Sequence, residues 1–422
     1  MAAVQPSVTQ ASDNQQAIYR AATYQLDAGK AAHELALQLD NEEIGFVLFF
    51  CSSAYDLEAL GKEMNHAFSH CEVMGCTSAG EITQSGYAKS SISALGFSRR
   101  DFKVSGARVP LEEFDLQAAQ LCVSSLVEAC QQDQKAPIGS NTFVLTLIDG
   151  LSPNEERFLV TLDTALGRLP HFGGSAGDDI NLANTHVYSE GAFHTESAIV
   201  VMFNTHCPFE VFTTHHIESL ESKLVVTEAD CTARRVYEFN AEPAAQVYAR
   251  EVGIALEDLR PEIYALHPLA VLIGDQYYVR SIQKVNDDLS LDFYCAVDDG
   301  IVVTAMQPGD LFADTQEKLS AIEARIGQLE LTLGCDCFLR RLEIEQAQMR
   351  DKAKAMFSRF RLLGFNTYGE QLNGIHMNQT LTGVMIGRPP QPPEPEFENG
   401  QSDDGFETKG DATKGEAARK VG

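Results

Sequence analysis

FVLFFC at Phe46–Cys51, as long as any uninterrupted apolar run in the chain, is only long enough for a strand. A helix that crosses a membrane needs about 18 to 20 consecutive apolar residues, and no run approaches that length. Short apolar runs alternating with helical patterns predict an α/β fold, with helices packed on mixed sheets. Strands are expected at Phe46–Ser52, Glu72–Cys76, Ile92–Phe97, Phe102–Val109, Thr142–Ile148, Ser197–Phe203 and Phe209–His215. Helices are expected over Gln15–Leu39, where Ile18, Ala21, Ala22 and Leu26 recur at helical spacing, and over Leu116–Gln132. A further helix follows DGLSPNEE, with Ser152 as its cap and Glu155 and Glu156 at its positive end, and runs to about Leu166. HVYSEGAF reads as a hairpin turning at Glu190–Gly191.

Beyond residue 220 the texture changes. Leu224–Thr227, Arg235–Phe239, Ala270–Ile273, Tyr277–Val285, Leu289–Cys295 and Gly300–Met306 read as short strands, with one helix at Pro243–Gly253. Helices at Asp314–Glu330 and Leu342–Leu363 follow. This predicts an α/β domain over residues 30–220 in tandem with an α+β domain over 221–387. From Arg388 the text is proline, glycine and charge, so residues 388–422 are expected to form a disordered tail. No repeat of solenoid length is found.

The net charge of −28 excludes whole function classes, because such a surface repels nucleic-acid phosphates and anionic lipid. It suits partners that are small molecules or other proteins. The N-terminal text carries no secretory signal pattern. The ten cysteines are scattered, without a CxxC pair, as in a reducing compartment. A cytoplasmic location is expected.

Two glycine-rich segments could carry chemistry. In VMGCTSAGEI, Gly75, Cys76, Thr77 and Gly80 form a loop after a strand, without phosphate-loop spacing. In HFGGSAGDDI, Gly173, Gly174, Ser175, Gly177 and Asp178 do likewise. Each is either a tight packing turn or a place where a ligand meets backbone N–H groups. Asp178 and Asp179 lack a neighbouring third ligand for a metal. Cys76 and Ser175 are conceivable nucleophiles, but no base is placed by the spacing, so no enzyme is expected.

The histidine in YGEQLNGIHMNQTLTG poses a separate question. His376 sits beside Met377, with Phe365 and Tyr368 just upstream, and only His267 shares this half of the chain with it. Residues of this kind suit either a packed core histidine or the axial donor of an apolar haem pocket.

VMGCTSAGEI, HFGGSAGDD, LGCDCFLRR at Leu333–Arg341 and GFNTYGEQLNGIHMNQTLTG occur in an order that resembles the FIST proteins, in which N- and C-terminal FIST domains run in tandem. The resemblance implies a sensory module for a small ligand. In the similar nitric-oxide-sensing NosP branch, it implies b-type haem that binds nitric oxide. The branch also implies relay to a histidine kinase or to a cyclic-di-GMP cyclase or phosphodiesterase, and a homodimer is conceivable. His376 is then the candidate haem-iron ligand, with His171 second and Met377, Phe365 and Tyr368 lining the pocket. The alternative is a sensor of another small ligand, such as an amino acid, held by the two glycine loops without haem.

Overall fold

The computed structural model describes residues 16–390. In it the chain runs three times through strand, helix and parallel strand. The first pass is Ile44–Ser52, Leu57–Ala67 and Glu72–Ser78. The second is Thr142–Ile148, Glu155–Leu166 and His171–Ser175. The third is Leu329–Cys337, two short helices at Phe338–Gln346 and Arg350–Arg359, and Leu362–Thr367. Each pass is completed by a returning antiparallel strand: Ile92–Ser98, Ser197–Thr205 or Leu381–Gly387. An antiparallel edge strand and a helix precede each pass. The edge strands are Ile18–Thr23, Phe102–Pro110 and Phe209–Thr214. The helices begin at Asp27, Asp115 and Asp310, whose carboxylates cap the first free N–H groups. The chain is thus a threefold internal repeat.

What joins the repeats is an exchange of hairpins. After its parallel strand, each unit sends a short hairpin into a neighbouring sheet. Glu81–Thr83 and Gly86–Ala88 extend the third unit's sheet by pairing with Leu362–Thr367. Glu370–Leu372 and Ile375–Met377 extend the second unit's sheet at His171–Ser175. Val187–Ser189 and Ala192–His194 extend the first unit's sheet at Glu72–Ser78. The cycle closes, and each of the three sheets has six strands.

The strands are apolar on both faces because both are covered. On the central strand of each unit, Phe46, Leu48 and Phe50, then Phe143, Leu145 and Leu147, then Leu331, Leu333 and Cys335 point into one shared core. Alternate residues such as Val47, Phe49 and Cys51 lie under helices. Within the shared core, Phe50 of the first unit stacks on Phe365 of the third at 4.2 Å between ring centres. One glycine recurs in every unit for a single reason. A Cβ on Gly75, Gly173 or Gly364 would lie 2.2, 2.0 or 1.8 Å from the carbonyl oxygen of Phe49, Thr146 or Gly334 in the adjoining parallel strand.

Residues between the third edge strand and the helix Leu311–Ile326 form a fourth, eight-stranded sheet, with Ile217–Asp230 in its interior and a core of its own around Val236, Phe239, Tyr248, Leu291 and Val303.

The strand Thr142–Ile148 and the Glu190–Gly191 hairpin lie where the sequence predicts them. Other elements differ. Gln15–Leu39 is not one helix: Ile18–Thr23 pairs with Ile92–Ser98, and the helix starts only at Ala28. The expected Ser152 cap is absent, since its hydroxyl donates to Glu196 at 2.8 Å and the helix begins at Glu155. Leu342–Leu363 divides into two helices and the start of a strand. Leu329–Cys337, fully buried, takes the end of the expected helix at Asp314–Glu330. The halves expected on either side of residue 220 share sheets, because strands after Leu329 return to complete the sheets begun in the first half. Beyond Pro390, the expected tail lies outside the described residues.

These contacts make a direct prediction. Gly364→Ala, with a Cβ against the Gly334 carbonyl, should destabilise by about 3 kcal/mol or more. Gly139→Ala, which meets nothing within 4 Å, should stay within about 0.5 kcal/mol of the parent in urea unfolding.

Candidate functional site

The three parallel strands end at one junction, where buried backbone groups find partners in a different unit. Ala79 N–H donates to Asn366 C=O at 2.8 Å, Tyr368 N–H to Ser175 C=O at 3.2 Å, and Gly177 N–H to Thr77 C=O at 3.1 Å. Return bonds run from Asn366 N–H to Gly80, from Ser175 N–H to Gly369 and from Thr77 N–H to His186. The two glycine-rich segments singled out in the sequence therefore do meet, although Gly75–Thr77 and Gly173–Ser175 are strand ends and not the loops expected, and a third, GFNTYGE, joins them.

Each loop carries a carboxylate at the same place, six residues after its glycine: Glu81, Asp179 and Glu370. Glu81 accepts from Ser78 Oγ at 2.6 Å and Ser91 Oγ at 2.5 Å, and burial pushes its carboxyl up to about 7. Glu370 accepts from Thr380 N–H at 3.1 Å, from Thr380 Oγ1 at 2.9 Å and from the Thr367 hydroxyl. Complete burial pushes it up to about 8, against the pull of those bonds. Asp179, with φ of 62°, accepts from Ser52 Oγ at 3.1 Å and Ser53 Oγ at 2.9 Å. Asp178 instead closes its own loop, accepting from the N–H groups of Leu182, Ala183 and Asn184 and from the Tyr368 hydroxyl.

A recess of about 50 Å³ opens on this junction, and all three units wall it. The first contributes Ala79 and Lys89, the second Asp179 and Ile180, and the third Phe338, Arg341, Leu342 and Glu345. Arg341 lies across the Cα of Gly80, where a Cβ would come within 1.6 Å of its Nη1. Nη1 donates to Ala79 C=O at 3.0 Å and Asn366 Oδ1 at 3.1 Å, and Nε to Glu345 Oε1 at 2.9 Å. Two cations, two carboxylates and an apolar patch thus share one small opening.

The other residues proposed from sequence are bound into the protein. The Cys76 thiol is wholly buried and pushed well up by burial, which removes the thiolate a nucleophile needs. Thr77 Oγ1 accepts from His186 N–H at 3.0 Å. A Cβ on Gly174 would strike Thr367 Cγ2 at 2.5 Å. Ser175 Oγ donates to Glu155 and accepts from Gln371 Nε2 at 3.2 Å. Met377 Sδ takes a bond from Thr213 Oγ1 at 3.7 Å.

Neither proposed iron donor offers the open coordination that haem requires. His376 is 4 % exposed, and its Nδ1 is 3.1 Å from Glu156 Oε1. Its Nε2 abuts the backbone, since a Cβ on Gly369 would lie 1.9 Å away. His171 is buried, with Nδ1 at 3.3 Å from Leu169 C=O and Nε2 at 3.6 Å from Asp163, and burial holds its imidazole below the usual range. Room for a macrocycle exists in a groove of about 800 Å³ along Phe209–Thr214, with His215 in its wall. That groove is rimmed by Glu210, Asp275, Asp314 and Glu317, like charges for the haem propionates, with Lys318 as counter-charge. The residues present do not fit haem.

Sequence reading missed Lys89 and Glu345, and met Arg341 only as the last residue of LGCDCFLRR. The signal that could have found the junction is the threefold recurrence of the glycine and its acid. It is stretched between the second and third copies by the inserted sheet.

The buried acids fix a pH response. A carboxyl whose folded pKa is raised favours the fold while protonated. For Glu370 that stability is fully present below about 4.5 and is lost as pH rises to about 8. Glu370→Gln should flatten this slope, being more stable than the parent at pH 8.5 by an amount on the order of 4 kcal/mol at most, with the difference gone near pH 4. Urea unfolding across that range measures it.

No helix among the described residues is long and apolar enough to cross a membrane. In comparison with known proteins, a family model described as the FIST N domain matches residues 45–242, and one described as the FIST C domain matches residues 244–373. No curated protein matches the chain. The boundary between the two matched regions falls inside the inserted fourth sheet, not between separable bodies.

Proposed function

The chain belongs to the FIST family, whose domains are sensory rather than catalytic and bind small ligands, and from that premise we propose that it senses a small zwitterion, an amino acid or close analogue, in the recess at the three-unit junction. One observation carries this reading: Lys89, Asp179, Arg341 and Glu345 reach one opening from three different units. Arg341 and Lys89 would take a carboxylate and Asp179 and Glu345 an ammonium, while Ile180, Leu342 and Phe338 would take a short apolar side chain. The volume of about 50 Å³ limits the ligand to the smallest members of the class unless Ile180, 60 % exposed, swings aside.

Such a ligand would act by tying units together. Ala79 and Asp179 are one or two bonds from the backbone exchange at the junction, so a group that draws on both changes how firmly the three sheets are held. That difference is what a partner reads. A histidine kinase or a cyclic-di-GMP enzyme is the partner class the family resemblance implied, and the strongly acidic surface suits a protein partner. Haem-based nitric oxide sensing through His376 finds no support in the geometry, because that ring already serves Glu156.

Thermal-shift and calorimetric titration with individual free amino acids test the proposal. At least one should raise the melting temperature. Lys89→Ala, an exposed position, and Asp179→Asn should each weaken its binding by about tenfold or more. The opposite result is no shift with any amino acid, together with a haem titration whose Soret band is lost in His376→Ala. It would return the haem reading.

A further inference from the structure

The three exchanged hairpins carry Thr83, Ser189 and Leu372 at matching positions, in the last pair before each turn. Leu372 is apolar, and Thr83 Oγ1 donates to Gly86 C=O at 3.2 Å. Ser189 differs from both. It is 1 % exposed, and its hydroxyl has no hydrogen-bond partner among the described residues. A buried hydroxyl left unbonded is destabilising, and Leu372 shows that the fold does not require one at this position.

Ser189 lines a cavity of about 300 Å³ between the first unit's sheet and the edge strand Phe102–Pro110 of the second. Val187 pairs with Cys76 and Tyr188 with Gly75, which brings Ser189 beside Met74, on the face that Glu72 shares. Opposite stands Gly106, where a Cβ would lie 2.3 Å from Met74 Sδ and 3.3 Å from Glu72 Oε1. Arg108 projects from the same side of that strand, about 7 Å further along, and it lines the cavity together with Glu190. Glu72, Glu190 and Arg108 are exposed at the mouth, and none is in an ion pair among the described residues. The same cleft one unit on is the groove along Phe209–Thr214, where Pro170, Leu372 and Asn373 take the places of Glu72, Ser189 and Glu190. The two acids and the hydroxyl are therefore peculiar to this copy and not a demand of the repeat. Among the described residues no three His, Cys, Asp or Glu side chains are grouped as a metal ion needs. A cation here is one held by hydrogen bonds.

We propose that this cavity binds an ω-amino acid, a short aliphatic chain with a primary ammonium at one end and a carboxylate at the other. The three N–H donors of the ammonium match three acceptors, the Glu72 and Glu190 carboxylates and the Ser189 hydroxyl. The chain lies along Met74, and the carboxylate pairs with the Arg108 guanidinium. An α-amino acid carries its two charges on neighbouring atoms and does not span the strand spacing from Gly106 to Arg108. The site is separate from the recess at Lys89 and Arg341, and it stands or falls without it. A ligand here ties the first unit's sheet to the edge strand of the second.

Calorimetric titration of the full chain with γ-aminobutyrate, butylamine and glycine tests this. γ-Aminobutyrate is expected to bind about tenfold or more tightly than either of the others. Ser189→Ala should weaken it by about fivefold and Glu72→Gln by about tenfold. Arg108→Ala, at an exposed position, should bring γ-aminobutyrate down to the level of butylamine and leave butylamine unchanged. Lys89→Ala, which strikes the recess, should leave γ-aminobutyrate binding as in the parent. No binding of γ-aminobutyrate overturns the proposal, and so does binding that Glu72→Gln and Arg108→Ala leave unchanged. Binding lost in Lys89→Ala overturns it as well, because the ligand then belongs to the recess.

Discussion

The structure depends on one constraint: a strand that ends inside a protein must still pair its backbone. At the end of each unit's second parallel strand the home sheet offers no further partner, so the chain crosses and pairs in the neighbouring unit. Ala79 to Asn366, Tyr368 to Ser175 and Gly177 to Thr77 are three copies of that solution. Because each crossing presupposes the next, the units close a cycle and none of the three sheets is complete without a neighbour's hairpin. The glycines under the carbonyls of Phe49, Thr146 and Gly334 are what allow the parallel strands to approach closely there.

Polar chemistry gathers at the crossing for the same reason. Backbone that leaves its ladder needs side chains to finish the hydrogen bonding, and Ser78, Thr367, Asn366 and the repeated acids supply it. Arg340 and Asp336 extend this network as an ion pair at 2.9 Å, each about 1 % exposed. Such a pair loses more hydration than it gains in attraction unless it is fully bonded. Tyr87 donates to Asp336 at 2.5 Å, and the Arg340 guanidinium also meets His216 Nδ1 at 3.2 Å. At the recess lined by Lys89, Asp179, Arg341 and Glu345 this charged layer reaches the surface between units. That is why a small polar molecule there would bear on the whole cycle.

Much of this was legible in the sequence where the signal is local. Thr142–Ile148 declares itself as a strand by its own composition, and Glu190–Gly191 as a turn by its own chemistry. The glycine-rich segments were visible, but Gly75–Thr77 and Gly173–Ser175 prove to be the ends of buried parallel strands rather than loops, and their meeting at one site is what the structure adds. Leu329–Cys337 could not be read, because a strand buried on both faces shows no alternation. The threefold repeat escaped because an inserted sheet separates its second and third copies. His376 shows the limit most plainly. The residues read as its pocket are dispersed: Phe365 stacks on Phe50 in the shared core, Tyr368 packs on Phe338 and bonds Asp178, and Met377 meets Thr213, while the ring itself is held by Glu156 against the backbone of Gly369. Those partners come from distant segments that no window around the histidine contains.

Amide hydrogen exchange resolved to single residues tests the central claim most directly, measured with and without the free amino acid that most raises the melting temperature. If ligand in the recess tightens a closed cycle, exchange should slow together at the crossing amides of Ala79, Gly177 and Tyr368, one from each unit. Slowing confined to the residues beside the recess, with Tyr368 unchanged, would contradict it.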